Sequence, residues 1–280
     1  MNAASLSIIF GLTSAVLWGA GDFSGGVATK RNNVYVVVFG GHLVGFIGFV
    51  LLAILTGEPW PTRPDLLFGG LAGLGGMIGV LAFYSSLARS TMGIVAPVTA
   101  IVNAMIPIIF ALSTEGLPPV LQAIGILVAL LAVWFLAGAT GITRANMREF
   151  GLPVLAGFGF AMFIVMIDQV TAGALYWPLA ASRVTSLFVV TTILLLRRNA
   201  GFVRPTQLWI IALAGILDAG GNAFFTLAAQ AGRLDIASIL TSLYPASTVF
   251  LAWLILGERL TRSQKGGVVL TLIALVLITF

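Results

Sequence analysis

The sequence has no cysteine and one histidine, and only 8% of its 280 residues are charged. The lack of cysteine excludes a disulfide framework and a thiolate metal site, and a single histidine excludes a multi-histidine metal centre. We therefore expect no metal and no cofactor. Because a soluble domain is typically about a quarter charged, this chain lacks the surface of a water-exposed globule. Disordered, collagen-like and coiled-coil classes are excluded as well.

Apolar residues dominate instead, at 59% of the chain, with a mean hydropathy of +1.10. A membrane-spanning helix needs roughly 20 consecutive, mostly apolar residues. The apolar runs are continuous rather than alternating, which favours helices over a membrane barrel. The sequence therefore predicts an all-α integral membrane protein with ten transmembrane helices, at 6–28, 34–55, 66–88, 92–112, 118–140, 150–170, 176–196, 207–229, 234–256 and 264–280.

The basic residues predict how the chain is oriented. No Lys/Arg cluster exceeds two residues, so nucleic acid is not expected as a partner despite the net charge of +5. Of the 14 Lys and Arg, eleven fall in odd-numbered connectors between predicted spans, Arg63 and Arg233 in even-numbered ones, and Arg183 inside a span. The positive-inside rule then predicts cytoplasmic odd connectors and both termini outside. We expect a multi-pass protein of the cell membrane, with the bacterial inner membrane as its location and the first span retained rather than cleaved.

Motifs repeat in the same order along the two halves, which we predict to be 1–145 and 146–280. Each half has an odd number of helices, so the second half begins on the opposite side of the membrane. We therefore expect the second half to be inverted relative to the first. Inverted repeats are typical of secondary transporters, whose substrate site lies near the bilayer midplane between the halves. The matching positions, 141 to 143 residues apart, are Leu81-Ala82-Phe83-Tyr84 with Asn222-Ala223-Phe224-Phe225, Val95-Ala96 with Ile236-Ala237, Glu115 with Glu258, Gln122 with Gln264 and Gly125 with Gly267.

Two stretches carry a family resemblance: Leu17-Trp18-Gly19, and the segment from Tyr244-Pro245 to Leu256-Gly257-Glu258-Arg259-Leu260-Thr261 that leads to Gln264 and Gly267. With these motifs the chain resembles the ten-helix, EamA-like branch of the drug/metabolite transporter superfamily. In the first half Thr114-Glu115-Gly116-Leu117 replaces the usual glycine–glutamate pair. The resemblance implies a basket in which helices 1–4 and 6–9 surround a cavity and helices 5 and 10 brace the outside. Its characterised relatives include exporters of amino acids and other small metabolites.

Polar side chains inside the apolar spans are the candidate site residues, because ionisable groups deep in lipid are expensive and usually functional. Asp218 lies near the middle of the eighth span, with Asn222 four residues later on the same face. Arg183 is suited to a bidentate carboxylate contact, and a packing role is the alternative for each of these groups. The full set that we predict to bind substrate is Trp18, Asp22, His42, Tyr84, Asn103, Arg183, Asp218, Asn222, Thr241 and Tyr244.

These features predict a secondary active transporter rather than an enzyme. Three aspartates in the spans, Asp22, Asp168 and Asp218, against one arginine favour a zwitterionic or cationic substrate, such as an amino acid, over a polyanion. We expect export by alternating access, with protons as coupling ion through Asp218. The expected partners are the small-molecule substrate and the lipid bilayer, and the protein is expected to function as a monomer.

Two other functions remain open from the sequence. Gly19-Ala20-Gly21-Asp22 matches the Gly-x-Gly-Asp string of intramembrane aspartyl proteases, but that chemistry needs a second carboxylate adjacent in space. A passive channel needs rings of like groups along a pore, whereas the polar residues here are sparse and clustered. The sequence has no Gly-x-x-x-x-Gly-Lys loop for nucleotide, so ATP-driven transport by this chain alone is not expected.

Overall fold

The computed structural model describes residues 3–29, 32–87, 92–136, 151–197, 205–256 and 261–279. Within these ranges the chain is helical, with no strand. The helices are α1 (Ala3–Thr29), α2 (Val34–Leu55), α3 (Arg63–Leu87), α4 (Met92–Thr114), α5 (Val120–Leu136), α6 (Gly151–Asp168), α7 (Tyr176–Arg197), α8 (Leu208–Ala231), α9 (Leu234–Thr241), α10 (Tyr244–Leu256) and α11 (Arg262–Thr279).

These helices make ten crossings and confirm the predicted fold class. Eight segments of the described chain are long and apolar enough to span a membrane, and Val98–Thr114 and Val120–Leu136 are shorter apolar helices. One span differs from the prediction, because the ninth is not one helix: it breaks at Ser242 and Leu243, between α9 and α10. Pro245 explains the break, since proline has no N–H for the carbonyl four residues earlier and its ring clashes with that carbonyl.

The two halves interlock instead of forming separate bodies. The most extensive interfaces join helices of different halves: α1 with α8, α3 with α6, and α5 with α11. The pairings also come in equivalent sets, since α2 packs on α8 as α7 packs on α3, and α1 packs on α9 and α10 as α6 packs on α4. This is the pattern of an inverted repeat. The predicted boundary at 145/146 falls in 137–150, outside the described residues.

The even-numbered connectors lie at the same end of the helices. The four even connectors, 56–62, 115–119, 169–175 and 232–233, define what we call the even face. Hydrogen bonds there join the second connector to the sixth and the fourth to the eighth. At the opposite end, the odd face, the Ser263 hydroxyl donates to the Phe135 carbonyl at 2.9 Å. The guanidinium of Arg197 lies 4.8 Å from the centre of the Tyr35 ring on the same face.

Glycines allow the helices that surround the centre to approach closely. A Cβ atom at Gly73 of α3 would lie 2.7 Å from the Ser182 carbonyl carbon of α7. A Cβ at Gly45 of α2 would lie 3.3 Å from Nε of Arg183. Both glycines belong to small-xxx-small spacings, which let helix backbones pack together in membranes. This close packing brings the polar residues of α2, α7 and α8 to one place.

Candidate functional site

A cavity of about 120 Å³ lies near the middle of the helices, between the two halves. Its lining comes from α1–α4, α6–α8 and the start of α10, and among the described residues α5 and α11 contribute none. This is the arrangement that the resemblance implies. Eight of the ten predicted site residues line this cavity: Trp18, Asp22, His42, Asn103, Arg183, Asp218, Asn222 and Tyr244.

An ion pair forms one wall of the cavity. Nη2 of Arg183 on α7 donates to Oδ2 of Asp218 on α8. The Arg183 side chain is only 6% exposed, whereas that of Asp218 is 40% exposed, so the carboxylate is the more accessible partner of the two. Asn222 holds Asp218 from the next helical turn, because its Nδ2 donates to the Asp218 carbonyl at 2.9 Å and to Oδ2 at 3.3 Å.

The second helix completes the surroundings of the guanidinium. Gly45 leaves room for it, and the Phe49 ring lies 5.8 Å from its Cζ, within cation–π range. His42, one turn before Gly45, lines the same cavity as Arg183. Nε of Arg183 and Nδ1 of His42 are buried without a hydrogen-bond partner in the described part of the chain. The positive charge is therefore held at the junction of α2, α7 and α8.

A second carboxylate, Asp22 of α1, faces the cavity from the neighbouring wall. This residue is exposed, and Asp218 and Tyr244 line the same cavity. The adjacent Gly21 explains how the two walls come close, because a Cβ at that position would lie 3.3 Å from the Asp218 backbone nitrogen. The cavity thus carries two carboxylates and one guanidinium.

Aromatic and amide groups close the remaining sides. Trp18 stacks on Phe225, with ring centres 5.9 Å apart and planes 19° apart, and leaves part of its ring on the cavity. Tyr244 reaches the cavity because it is the first residue of α10, directly after the break in the ninth span. Asn103 lines it from α4, and its Oδ1 is buried without a partner among the described residues.

Among the described side chains, one predicted site residue, Thr241, is not brought into the cavity. Thr241 is fully buried in α9, and its hydroxyl donates to the Ala237 carbonyl of its own helix at 2.9 Å. Such back-bonding is common for threonine in a helix interior, and it takes the hydroxyl away from the cavity. The backbone of Tyr84 lies in α3, but its side chain is outside the described residues.

The structure also adds lining residues that the sequence analysis missed. Ser182 and Ser186 flank Arg183 on α7, and their spacing of four residues in an apolar helix was a usable signal. The others are small or apolar: Gly73, Gly76, Val80, Phe160, Phe163 and Ile164. Nothing local distinguishes these from residues that face lipid, because the interior of a membrane protein is about as apolar as its lipid surface.

The comparisons with known proteins agree with this architecture. One solved crystal structure is similar over 98% of this chain and 96% of that chain, with a TM-score of 0.78 and 14% sequence identity. At that identity the likeness shows the fold. None of the curated proteins matches the sequence. The model of the EamA-like transporter family matches twice, at residues 5–138 and 150–280, and so covers both halves. The chain therefore belongs to the EamA-like transporter family, whose members are membrane transporters.

Proposed function

We propose that this membrane transporter is a secondary carrier of small zwitterionic or cationic metabolites, such as amino acids, and that it exports them. One observation carries the proposal: Asp22, Asp218 and Arg183 share a single small cavity at mid-depth between inverted halves. Charged groups at that depth are costly unless a partner or a ligand compensates them. The inverted repeat supports alternating access, in which the halves rock about a fixed central site.

The charges of the cavity match the two ends of an amino acid. The Asp22 and Asp218 carboxylates attract an ammonium group, and the Arg183 guanidinium suits a carboxylate through its planar fork of N–H donors. Trp18 and Tyr244 present aromatic faces, which also attract organic cations. A phosphate ester or another polyanion fits poorly, since the two carboxylates repel it.

We propose protons as the coupling ion, with Asp218 as the group that carries them. Protonation of Asp218 would remove its charge and release Arg183 from the ion pair. One chain contains a complete cavity between its halves, which supports function as a monomer. The proposed location is the bacterial inner membrane, with the odd connectors in the cytoplasm, and rests on the distribution of Lys and Arg.

The site does not favour the intramembrane protease that the Gly-x-Gly-Asp string suggested. Such an enzyme needs two carboxylates that share a proton. Asp218 does lie near Asp22, but it is bound to Arg183 and Asn222. A channel is not favoured either, because the polar groups form one cluster at mid-depth rather than successive rings along a pore.

Transport by purified protein in liposomes tests the proposal. A panel of labelled amino acids, organic amines and organic phosphates is offered with and without an inward proton gradient. We expect saturable transport of a zwitterion or amine, reduced by about tenfold or more in Asp218→Asn, while the variant stays folded. Asp168→Asn is the matched control, because it removes a carboxylate at the end of α6 that does not line the cavity. Normal transport by Asp218→Asn would refute the role of that residue.

A further inference from the structure

Carboxylates of the first half hold the helix ends of the second half on the even face. The Glu58 side chain, in the connector between α2 and α3, accepts the backbone N–H groups of Leu175 at 2.8 Å and Tyr176 at 2.7 Å. Its backbone carbonyl accepts Nε1–H of Trp177 at 3.2 Å. Tyr176 begins α7, so Glu58 caps the amino terminus of that helix, where a negative charge is favoured by the helix dipole.

Glu115, in the connector between α4 and α5, makes an equivalent contact with α9. Its carboxylate accepts the backbone N–H of Leu234, the first residue of α9, at 3.1 Å. Arg233 strengthens the junction, because its guanidinium donates to the Gly116 carbonyl at 2.7 Å and lies 3.9 Å from the Glu115 carboxylate. The hydrogen bond to Asp235 raises the pKa of Arg233 above its ordinary value, so this cation stays charged.

A third carboxylate joins the halves at the same face. Asp65, in the first turn of α3, is buried and accepts the Thr171 backbone N–H at 2.8 Å. Its other oxygen accepts the Thr62 hydroxyl at 2.6 Å, which fixes the side chain within its own half. The rings of Trp60 and Trp177 also meet across the halves, with centres 4.8 Å apart.

These caps differ from an ordinary helix cap in where the capping residue lies. α2 occupies the position in the first half that α7 occupies in the second, yet it is capped by its own neighbour: Asn33 accepts the Tyr35 N–H at 3.0 Å. The residue before α7 is Leu175, whose side chain has no hydrogen-bond acceptor. α7 is capped instead by Glu58, which lies 117 positions before Leu175 in the sequence. A local cap survives any movement of one half against the other, whereas a cap across the halves is lost when they separate.

We propose that Glu58 and Glu115 are gate residues, whose caps on α7 and α9 keep the cavity closed towards the even face. This inference rests on the proposed alternating access. Opening towards that face separates the second connector from the sixth and the fourth from the eighth, so both caps must break. Removing a cap therefore shifts the conformational equilibrium towards the state that is open at the even face. The caps act on the equilibrium between states and do not touch the substrate.

The absence of cysteine from the sequence allows a direct test. The full chain with Ser182→Cys, a cavity-lining position on the half of α7 nearer the even face, is reconstituted in liposomes. A membrane-impermeant maleimide is added on either side, and Trp60→Cys identifies the side that carries the even face. We expect Glu58→Ala to raise the labelling rate of Ser182→Cys from that side by about tenfold. Glu58→Gln, which keeps one acceptor oxygen without the charge, should give a smaller rise.

Asn33→Ala is the matched control, because it also removes a helix cap but one made within a half. An unchanged labelling rate in folded Glu58→Ala, or an equal rise in Asn33→Ala, overturns the proposal. If Glu58→Ala does not fold, the labelling rate of Ser182→Cys is measured in Glu58→Gln instead, and an unchanged rate in that variant overturns the proposal. Labelling is read without any substrate, so a failure to find transported compounds leaves this result interpretable. Conversely, a refuted gate leaves the assignment of the cavity residues untouched.

Discussion

Arg183 and Asp218 illustrate how a charged pair is accommodated at mid-depth in the bilayer. The guanidinium is almost fully buried, with the Phe49 ring near its Cζ and its Nη2 on the aspartate. Removing one partner of a buried pair leaves an uncompensated charge, which costs far more than the pair contributes. The pair also joins two helices, α7 and α8, and its two residues are 35 positions apart in the sequence. The sequence therefore does not show that they are in contact.

We therefore predict an asymmetric response to mutation of this pair. Asp218→Leu should lower the free energy of unfolding by roughly 3–5 kcal/mol, because it leaves the buried guanidinium without a counter-ion. Asp218→Asn should cost less, since its amide oxygen still accepts from Nη2. The double variant Asp218→Leu/Arg183→Met should recover much of the loss. Thermal unfolding in detergent measures these three variants and the single variant Arg183→Met, and additive losses in the double variant would show that the two residues do not interact.

The helices pack through glycines whose roles differ with their surroundings. Gly73 faces the Ser182 backbone, so an added methyl group must push α3 away from α7. At Gly48 of α2, no described residue outside its own stretch of helix lies within 4 Å of the position that a Cβ would occupy. Helix propensity alone favours alanine over glycine by roughly 0.5–1 kcal/mol at either position. At Gly73 the contact with the neighbouring helix outweighs this preference, so alanine is expected to lower the stability there instead of raising it.

This contrast predicts different effects for the same glycine-to-alanine substitution at two positions. Gly73→Ala should lower the melting temperature, whereas Gly48→Ala should leave it unchanged or raise it slightly. Unfolding in detergent, followed by intrinsic fluorescence, compares them under one condition. Equal effects of the two substitutions would mean that the approach of α3 to α7 does not limit stability.

The whole molecule is a pair of halves with five spans each, and its most extensive helix contacts join one half to the other. This explains why the cavity, the ion pair and the caps all lie between halves. It also places the four even connectors on one face of the molecule. Because eleven of the 14 Lys and Arg fall in the odd connectors, the sequence has a strong charge asymmetry between its odd and even connectors.

The charge asymmetry predicts the orientation of the chain in a cell. In this cysteine-free protein, Trp60→Cys in the second connector should react with an impermeant maleimide added to intact cells. Lys265→Cys, at the odd-face end of α11, should react only after the membrane is permeabilised. Both side chains are exposed in the structure, so a difference in labelling reports the side of the membrane rather than burial. The reverse pattern would invert the predicted orientation.

Some of the residues that line the cavity could be recognised from the sequence, and others could not. Asp218 and Arg183 were recognisable because a charge inside an apolar span is rare and expensive. Phe160 and Phe163 were not, since an aromatic residue in such a span gives no sign of whether it faces lipid or the cavity. The break in the ninth span was also missed: Pro245 was evident, but many membrane helices tolerate proline without unwinding. Thr241 was predicted to bind substrate but does not line the cavity, because its hydroxyl donates to the backbone of its own helix.

Hydropathy and charge along the chain were sufficient to predict the ten crossings, the inverted halves and the polar residues at mid-depth. These features leave a local signal, because the bilayer excludes unpaired polar groups from every apolar span independently of its neighbours. The contact of Arg183 with Asp218, the place of α6 in the cavity lining and the cap that Glu58 makes on α7 became evident only from the folded molecule. Such contacts join residues far apart in sequence, and in a membrane no hydrophobic contrast marks the face of a helix that turns towards its partner.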